Sequence, residues 1–91
     1  MPAPPALRLD EFPDRQWATV TELQSPANPE DRELVLRLTE IGFVPGEAIR
    51  IVATGVAGRE PLAVRIGHTT FALRRHEASF ILVRPGAVGH G

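Results

Sequence analysis

Residues 41–46, with the sequence IGFVPG, place two chain-reversing signals side by side. Gly42 fits the left-handed position that ends many helices, and in that arrangement Phe43 packs back on Leu38 in the last turn. Pro45-Gly46 fits the two central positions of a type II turn. Together the two signals end a helix, reverse the chain and start the next element in a fixed register. The segment therefore predicts a helix held against a sheet.

The helix predicted before this corner spans residues 29–41. Asn28 is a suitable N-cap, and Pro29 suits the first helical position. Apolar residues recur at the spacing of one helical face, namely Leu34, Leu38 and Ile41. Because a helix of this length is marginal in water by itself, we expect its apolar face to pack on another element.

Outside the helix, apolar residues alternate with polar ones, as they do in strands. The predicted strands are 17–23, 49–51, 62–66, 70–74 and 80–84. Gly67 suits a tight hairpin between the third and fourth of them, and residues 75–78 are predicted to form a single helical turn. The order predicts a small, mostly-β fold: a strongly bent antiparallel barrel of about five strands, with one helix between the first two.

A chain of 91 residues has room for one domain. It contains no cysteine, which excludes disulfides and thiolate metal sites. The longest apolar run, residues 80–83, is far too short to cross a bilayer. The N-terminus lacks a basic start followed by an apolar stretch, so no secretory signal is predicted. We therefore expect a cytoplasmic protein.

The sequence offers no constellation for catalysis. Ser25 and Ser79 are its only serines, and neither lies beside a histidine. Residues 53–60, ATGVAGRE, lack the Gly-Lys-Ser/Thr ending of a phosphate-binding loop. We interpret Gly55 and Gly58 as parts of a loop between two strands. No enzymatic activity is expected.

The histidines do not have the close spacing of a closed metal site. His68 falls at the predicted hairpin tip, His76 lies beside Glu77 near the one-turn helix, and His90 lies in the C-terminal tail. No cofactor is expected to be required. His68, His76 and Glu77 are weak surface candidates for an adventitious transition metal, zinc or iron, or for one shared across a dimer contact.

Charge is distributed unevenly along the chain. Residues 1–47 contain nine acidic residues and four arginines, whereas residues 48–91 contain two acidic residues and six arginines. This asymmetry can orient a partner, and an ordinary solvated surface is the alternative interpretation. Arg50, Arg65 and Arg74 point outward on neighbouring predicted strands and Arg75 follows, so we expect a basic stripe.

Nucleic acid is a poor match for this stripe. The chain has a net charge of −1 and no tyrosine, so it lacks the aromatic stacking platforms of nucleic-acid-binding proteins. We therefore expect no direct nucleic-acid binding. A protein partner with an acidic face fits the stripe better.

These motifs resemble the FeoA family, the ferrous iron transport protein A domains. The resemblance runs from RLTEIGFVPGEAIRIV through EPLAVRIGHTTFALRRHEASFILV. The positions that carry the family's structural pattern include Leu38, Gly42, Pro45, Gly46, Gly67, Leu73 and Ala78. The upstream segment LDEFPDRQWATVTEL also matches. The predicted domain therefore covers residues 9–84, with residues 1–8 and 85–91 as flexible tails.

The resemblance implies an SH3-like barrel and a small cytoplasmic accessory protein of bacterial ferrous iron uptake. Such proteins are thought to act on the FeoB permease, whose cytosolic part contains a GTP-binding domain, and to reach the membrane only through that partner. The same fold resembles the C-terminal domain of iron-dependent repressors, which makes a metal-responsive domain the alternative. With one helix, the chain cannot supply a helix-turn-helix of its own.

The surface expected to meet a partner combines the corner with the basic stripe. Its predicted members are Phe43, Val44, Arg50, Arg65, Arg74 and Arg75. The edge strands of a small open barrel can also pair with a second copy, so a homodimer is a further possibility.

Overall fold

The computed structural model describes residues 6–55 and 59–87. One sheet of six strands has the order β1-β6-β2-β3-β4-β5, and all of its neighbours are antiparallel. The elements in chain order are β1 (Leu7–Arg8), a 3₁₀ turn (Leu9–Glu11), β2 (Trp17–Leu23), α1 (Pro29–Ile41), β3 (Ala48–Thr54), β4 (Leu62–Ile66), β5 (Thr69–Leu73), α2 (Arg75–Ala78) and β6 (Ile81–Pro85).

The predicted mostly-β fold is confirmed, with one strand more than the alternation indicated. That strand, β1, is only two residues long, and Leu7 pairs with Val83 of β6. Two residues are too few to show a period of two, so the pattern could not reveal it. The helices α1 and α2 have the predicted bounds. Residues 7, 8 and 85, assigned above to the tails, lie in strands; Gly58 and His90 lie outside the described residues.

The inward-facing side chains of the strands form one apolar core with those of α1 and the 3₁₀ turn. Its buried members are Leu9, Phe12, Ala18, Val20, Leu34, Leu38, Phe43, Ile49, Ile51, Leu62, Val64, Ile66, Leu73, Ala78, Ile81 and Val83. In β4 and in residues 48–52 of β3 the burial alternates residue by residue, so every second side chain there faces away from the core. This alternation is what places the polar residues of these strands on the outer surface.

The helix α1 begins and ends as its sequence predicts. The Asn28 side chain accepts a hydrogen bond from the Asp31 amide at 2.8 Å, which caps the first turn. At the other end Gly42 has a φ of 125°, and the Phe43 amide donates to the Leu38 carbonyl at 3.0 Å. This hydrogen bond is that of a Schellman motif, and it turns Phe43 into the core.

The corner after α1 is tied to the sheet by main-chain hydrogen bonds. The Gly46 amide donates to the Val20 carbonyl at 2.8 Å, and the Val20 amide donates to the Glu47 carbonyl at 2.9 Å. The Glu47 amide also closes the turn by donating to the Val44 carbonyl at 3.1 Å. The predicted turn therefore fixes β3 beside β2 and has a structural role.

The hairpin of β3 and β4 is closed by a close approach between main-chain segments. The Gly55 amide donates to the Pro61 carbonyl at 2.9 Å. A Cβ atom on Gly55 would overlap the backbone carbonyl of Glu60. Gly55 is therefore required by the close approach of the two segments, which the sequence alone did not show.

Candidate interaction surfaces

Three side chains on the outer surface of the sheet lie side by side because their strands are in register. Trp17 on β2 pairs with Arg50 on β3, and Arg50 pairs with Arg65 on β4. Arg84 on β6 faces the same side, since the flanking Val83 is buried. We call the surface formed by Trp17, Arg50, Arg65 and Arg84 the arginine face.

The arginines of this face make few contacts with the rest of the protein. The Arg50 guanidinium carbon lies 4.9 Å from the centre of the Trp17 ring, a cation–π contact. Arg65 Nε donates to the Gly67 carbonyl at 3.2 Å. Among residues 6–55 and 59–87, no carboxylate forms an ion pair with Arg50, Arg65 or Arg84. Their positive charge is therefore available to a partner.

Arg74 and Arg75 are not part of this face, so the predicted four-arginine stripe is wrong. The Arg74 amide donates a hydrogen bond to Glu77 Oε1 at 2.8 Å, which caps α2. The Arg74 side chain lines a groove beside α1. Arg75 Nη1 donates to the Asp10 carbonyl at 2.6 Å, which ties α2 to the 3₁₀ turn. The strand period ends at Leu73, so alternation no longer places these two residues.

The prediction that Phe43 reaches the surface is also wrong. Phe43 is fully buried, and its ring meets that of Phe71 edge-on with centroids 6.2 Å apart. The hydrogen bond to Leu38 sets the direction of this side chain. Val44, the next residue, is partly exposed. Only Val44 of the two is accessible to a partner.

A groove of about 740 Å³ separates α1 from α2. Leu36 lies at this groove with 59% of its surface exposed, the largest exposure of any large apolar side chain among the described residues. One ion pair and one hydrogen bond cross from one helix to the other: Arg37 pairs with Glu77, and His76 Nε2 is hydrogen-bonded to Asp31, both at 2.8 Å. We call the surface formed by Asp31, Leu36, Arg37, His76 and Glu77 the helix groove. Sequence analysis missed this groove because α1 and α2 are far apart in the chain, and no repeating pattern in the sequence shows that two such helices pack together.

The candidate metal ligands do not come together. His68 is exposed in the turn between β4 and β5. His76 and Glu77 are neighbours in sequence, but each pairs with a different residue of α1. In the described part of the chain, no three histidine, aspartate or glutamate side chains gather where they could hold a metal ion. Within the same residues, no helix is long and apolar enough to cross a membrane.

The geometry thus defines a small antiparallel barrel with one charged outer face and one groove between helices. The model of the FeoA domain family matches residues 7–85 of the chain. The chain belongs to the FeoA family, which is associated with ferrous iron transport and is not a known catalytic family. A search of curated protein sequences gave no match.

Solved structures agree with this family assignment. The zinc-complexed FeoA of Stenotrophomonas maltophilia, described as a prokaryotic SH3 domain protein, is 42% identical, with a TM-score of 0.76 over 87% of this chain and 91% of that one. FeoA of Chlorobium tepidum is 27% identical, with a TM-score of 0.69 over 93% of this chain and 75% of that one. The SH3-like fold implied by the sequence resemblance is confirmed.

The likeness extends to part of a transcriptional regulator. A manganese-dependent transcriptional repressor is 26% identical to the chain, with a TM-score of 0.74 over 92% of this chain. The matching region is only 44% of the repressor. The shared part is therefore one domain of a larger protein.

Proposed function

We propose that this chain is a non-catalytic accessory protein of ferrous iron uptake, which acts by docking on the cytosolic, GTP-binding part of a FeoB-type permease. Membership of the FeoA family supports the link to ferrous iron transport. The observation that carries the docking proposal is the arginine face, where three arginines lie without a carboxylate partner among the described residues.

The arginine face has the composition of a protein-binding surface. Arginine and tryptophan are enriched among the residues that dominate binding energy at interfaces. Trp17 is 37% exposed and supports Arg50 from one side, which limits the conformations open to that long side chain. A rigid positive surface attracts a partner with an acidic face and orients it before contact. The permease surface that docks here is therefore expected to be acidic.

The helix groove is less suited to this task. Its ion pair and hydrogen bond already join α1 to α2, so a charged partner would have to displace them. A partner that displaces these contacts gains little net binding free energy, because its new ion pairs only replace the existing ones. Docking at the groove would rely mainly on Leu36.

The alternative function, a metal-responsive module like that of the repressors, has weaker support. The likeness to the manganese-dependent repressor covers less than half of that protein. In residues 6–55 and 59–87 only α1 is longer than a single turn, so this region holds no helix-turn-helix. The same residues contain no cluster of three potential metal ligands.

The test is direct binding of the full chain to the isolated cytosolic domain of the permease. Binding is measured by calorimetry without nucleotide, with GDP and with a non-hydrolysable GTP analogue. We expect Arg65→Glu to weaken binding roughly tenfold or more, because like charges then face each other across the interface. Arg32→Glu, a charge reversal on the exposed side of α1, is the matched control.

Binding that is lost in Arg65→Glu and kept in Arg32→Glu supports docking through the arginine face. Equal weakening by both variants would indicate only a general effect of net charge and would exclude this surface. No binding by the unaltered chain in any nucleotide state would overturn the proposed function itself.

A further inference from the structure

A small cleft opens beside the arginine face, next to the ring of Trp17. Its volume is about 280 Å³, and Arg15, Arg50 and Val52 line it. Two of the three lining residues are therefore permanently positive, since arginine does not lose its proton in proteins. Neither arginine forms an ion pair with a carboxylate in the described part of the chain.

The loop before β2 holds Arg15 firmly in this position. The Arg15 amide donates to the Ile51 carbonyl of β3 at 2.7 Å, and Arg15 has a φ of 66°, which is uncommon for a residue with a side chain. The preceding Asp14 is held by Thr54, whose hydroxyl donates to both carboxylate oxygens at 3.1 and 2.9 Å. The middle and the C-terminal end of β3 therefore fix the loop that carries the arginine, and Asp14 is hydrogen-bonded to Thr54.

Arg50 brings a second guanidinium from the strand itself. Its Nε atom is buried and has no hydrogen-bond partner among the described residues. Buried polar atoms without a partner are rare in proteins, and each calls for a physical explanation. Arg75 Nε is buried in the same way, but the Arg75 guanidinium already donates to Asp10. Within residues 6–55 and 59–87, the Arg50 guanidinium makes a cation–π contact with Trp17.

Two like charges that line one cleft repel each other unless an anion lies between them. A guanidinium offers a planar fork of donors that matches the oxygens of a phosphate group. Inorganic phosphate or a phosphate monoester carries a charge of about −1.5 to −2 near neutral pH, which balances two arginines, whereas a carboxylate or a lipid phosphodiester carries a single negative charge. The cleft volume is sufficient for such a group.

We infer that the cleft lined by Arg15 and Arg50 binds a phosphate group. Arg15 binds it from the loop and Arg50 from the strand, each through the terminal amino groups of its guanidinium. The group can belong to a free phosphate compound or to the headgroup of an anionic lipid. Binding at this cleft requires no permease and goes beyond the docking function proposed above.

The chain contains its own reporter for this site. Trp17 is the only tryptophan, and it contacts the guanidinium of Arg50. A phosphate that engages Arg50 changes the surroundings of the ring and therefore its fluorescence. The full chain is titrated with sodium phosphate at pH 7 and, in parallel, with sodium chloride at equal ionic strength. A second arm measures cosedimentation with vesicles that contain phosphatidylglycerol.

We expect a saturable fluorescence change with phosphate but not with chloride. Arg15→Gln should weaken binding roughly tenfold or more, because it removes a charge-assisted hydrogen bond. Arg32→Gln, which removes an equal charge on α1, should stay within about twofold of the unaltered chain. The melting temperature should rise more in phosphate for the unaltered chain and for Arg32→Gln than for Arg15→Gln, since a bound ligand stabilises the folded state beyond the general effect of the salt.

Each outcome either identifies the source of the phosphate group or overturns the inference. A saturable response to inorganic phosphate that depends on Arg15 identifies a free phosphate compound as sufficient. Cosedimentation that depends on Arg15, without a response to inorganic phosphate, identifies the lipid headgroup. If neither arm responds, or if Arg32→Gln weakens both arms as much as Arg15→Gln does, the cleft is not a phosphate site.

Discussion

In the helix groove, charged side chains have partners across the groove: Arg37 forms an ion pair with Glu77, and Asp31 is hydrogen-bonded to His76. On the arginine face, Arg50 and Arg65 lie next to each other on paired strands, with no carboxylate ion pair in the described residues. Both surfaces are charged, but only one has its charges matched internally.

This difference distinguishes two roles of charge: in the helix groove it holds two helices together, and on the arginine face its proposed role is to bind a partner. Exposed ion pairs contribute about 0–1 kcal/mol each, so the one in the helix groove serves mainly to fix α2 against α1. Neighbouring like charges on a sheet are slightly unfavourable, so the arginine face does not contribute to stability through charge. In the proposed function these arginines serve binding, and four substitutions examine this comparison.

The largest effect is expected from Gly55→Ala, in the hairpin that carries Arg50 and Arg65. The added Cβ overlaps the Glu60 carbonyl, so the main chain of the hairpin has to shift. We expect a loss of about 3 kcal/mol in the free energy of unfolding, measured with urea. Gly67→Ala is the comparison, because a Cβ there meets nothing within 4 Å and its φ of 59° costs only about 1 kcal/mol of backbone strain. A smaller loss for Gly55→Ala than for Gly67→Ala would contradict the close approach.

Gly42→Val tests the corner that joins the two surfaces. Gly42 has a φ of 125°, a conformation that β-branched residues resist, so the variant should lose about 1–2 kcal/mol. Gly42→Asn should lose less, because asparagine tolerates positive φ better. Urea unfolding compares the two variants. Equal losses would show that backbone conformation does not set the requirement at this position.

Glu77→Ala tests the structural role of charge in the helix groove. Glu77 accepts from the Arg74 amide at 2.8 Å and pairs with Arg37 at 2.8 Å, so both contacts are lost. The free energy of unfolding should fall by about 1–2 kcal/mol. Glu40→Ala, on the same groove without an ion pair in the described residues, should change it by less than about 0.5 kcal/mol. Similar losses would mean that these contacts do not hold α2.

The smallest effect is expected from Arg65→Gln, on the arginine face. Because Arg65 has no carboxylate ion pair in the described residues, thermal and urea unfolding should change by less than about 0.5 kcal/mol. Arg37→Gln, which breaks an ion pair of the helix groove, is the comparison. A loss above about 1 kcal/mol for Arg65→Gln would show that the fold itself uses this arginine.

Elements with local signals could be predicted from the sequence. The bounds of α1 follow from Asn28, Pro29 and Gly42, which act on the few residues around them. The hairpin at Gly67 and the single turn of α2 also follow from short stretches. By contrast β1 has only two residues, and its existence depends on pairing with β6 about 75 positions away.

For the candidate site, the sequence predicted that Arg50 and Arg65 face outward, because a period of two is a local property of strands. It also predicted a stripe that contains both residues, but their direct pairing depends on the register of β3 and β4, which long-range contacts set. Arg74 and Arg75 were misplaced because the strand ends at Leu73, and the helix groove was missed entirely.

The sequence by itself determined the helices, the longer strands, the corner and the family, because caps, turns and alternation act over a few neighbouring residues. Only the tertiary structure decided that Phe43 is buried, that Arg15 and Arg50 share a cleft, and that Arg37 pairs with Glu77 while the arginine face has no ion pair within the described residues. These features join residues far apart in the chain. They depend on how the helix and strands pack, which no local pattern records.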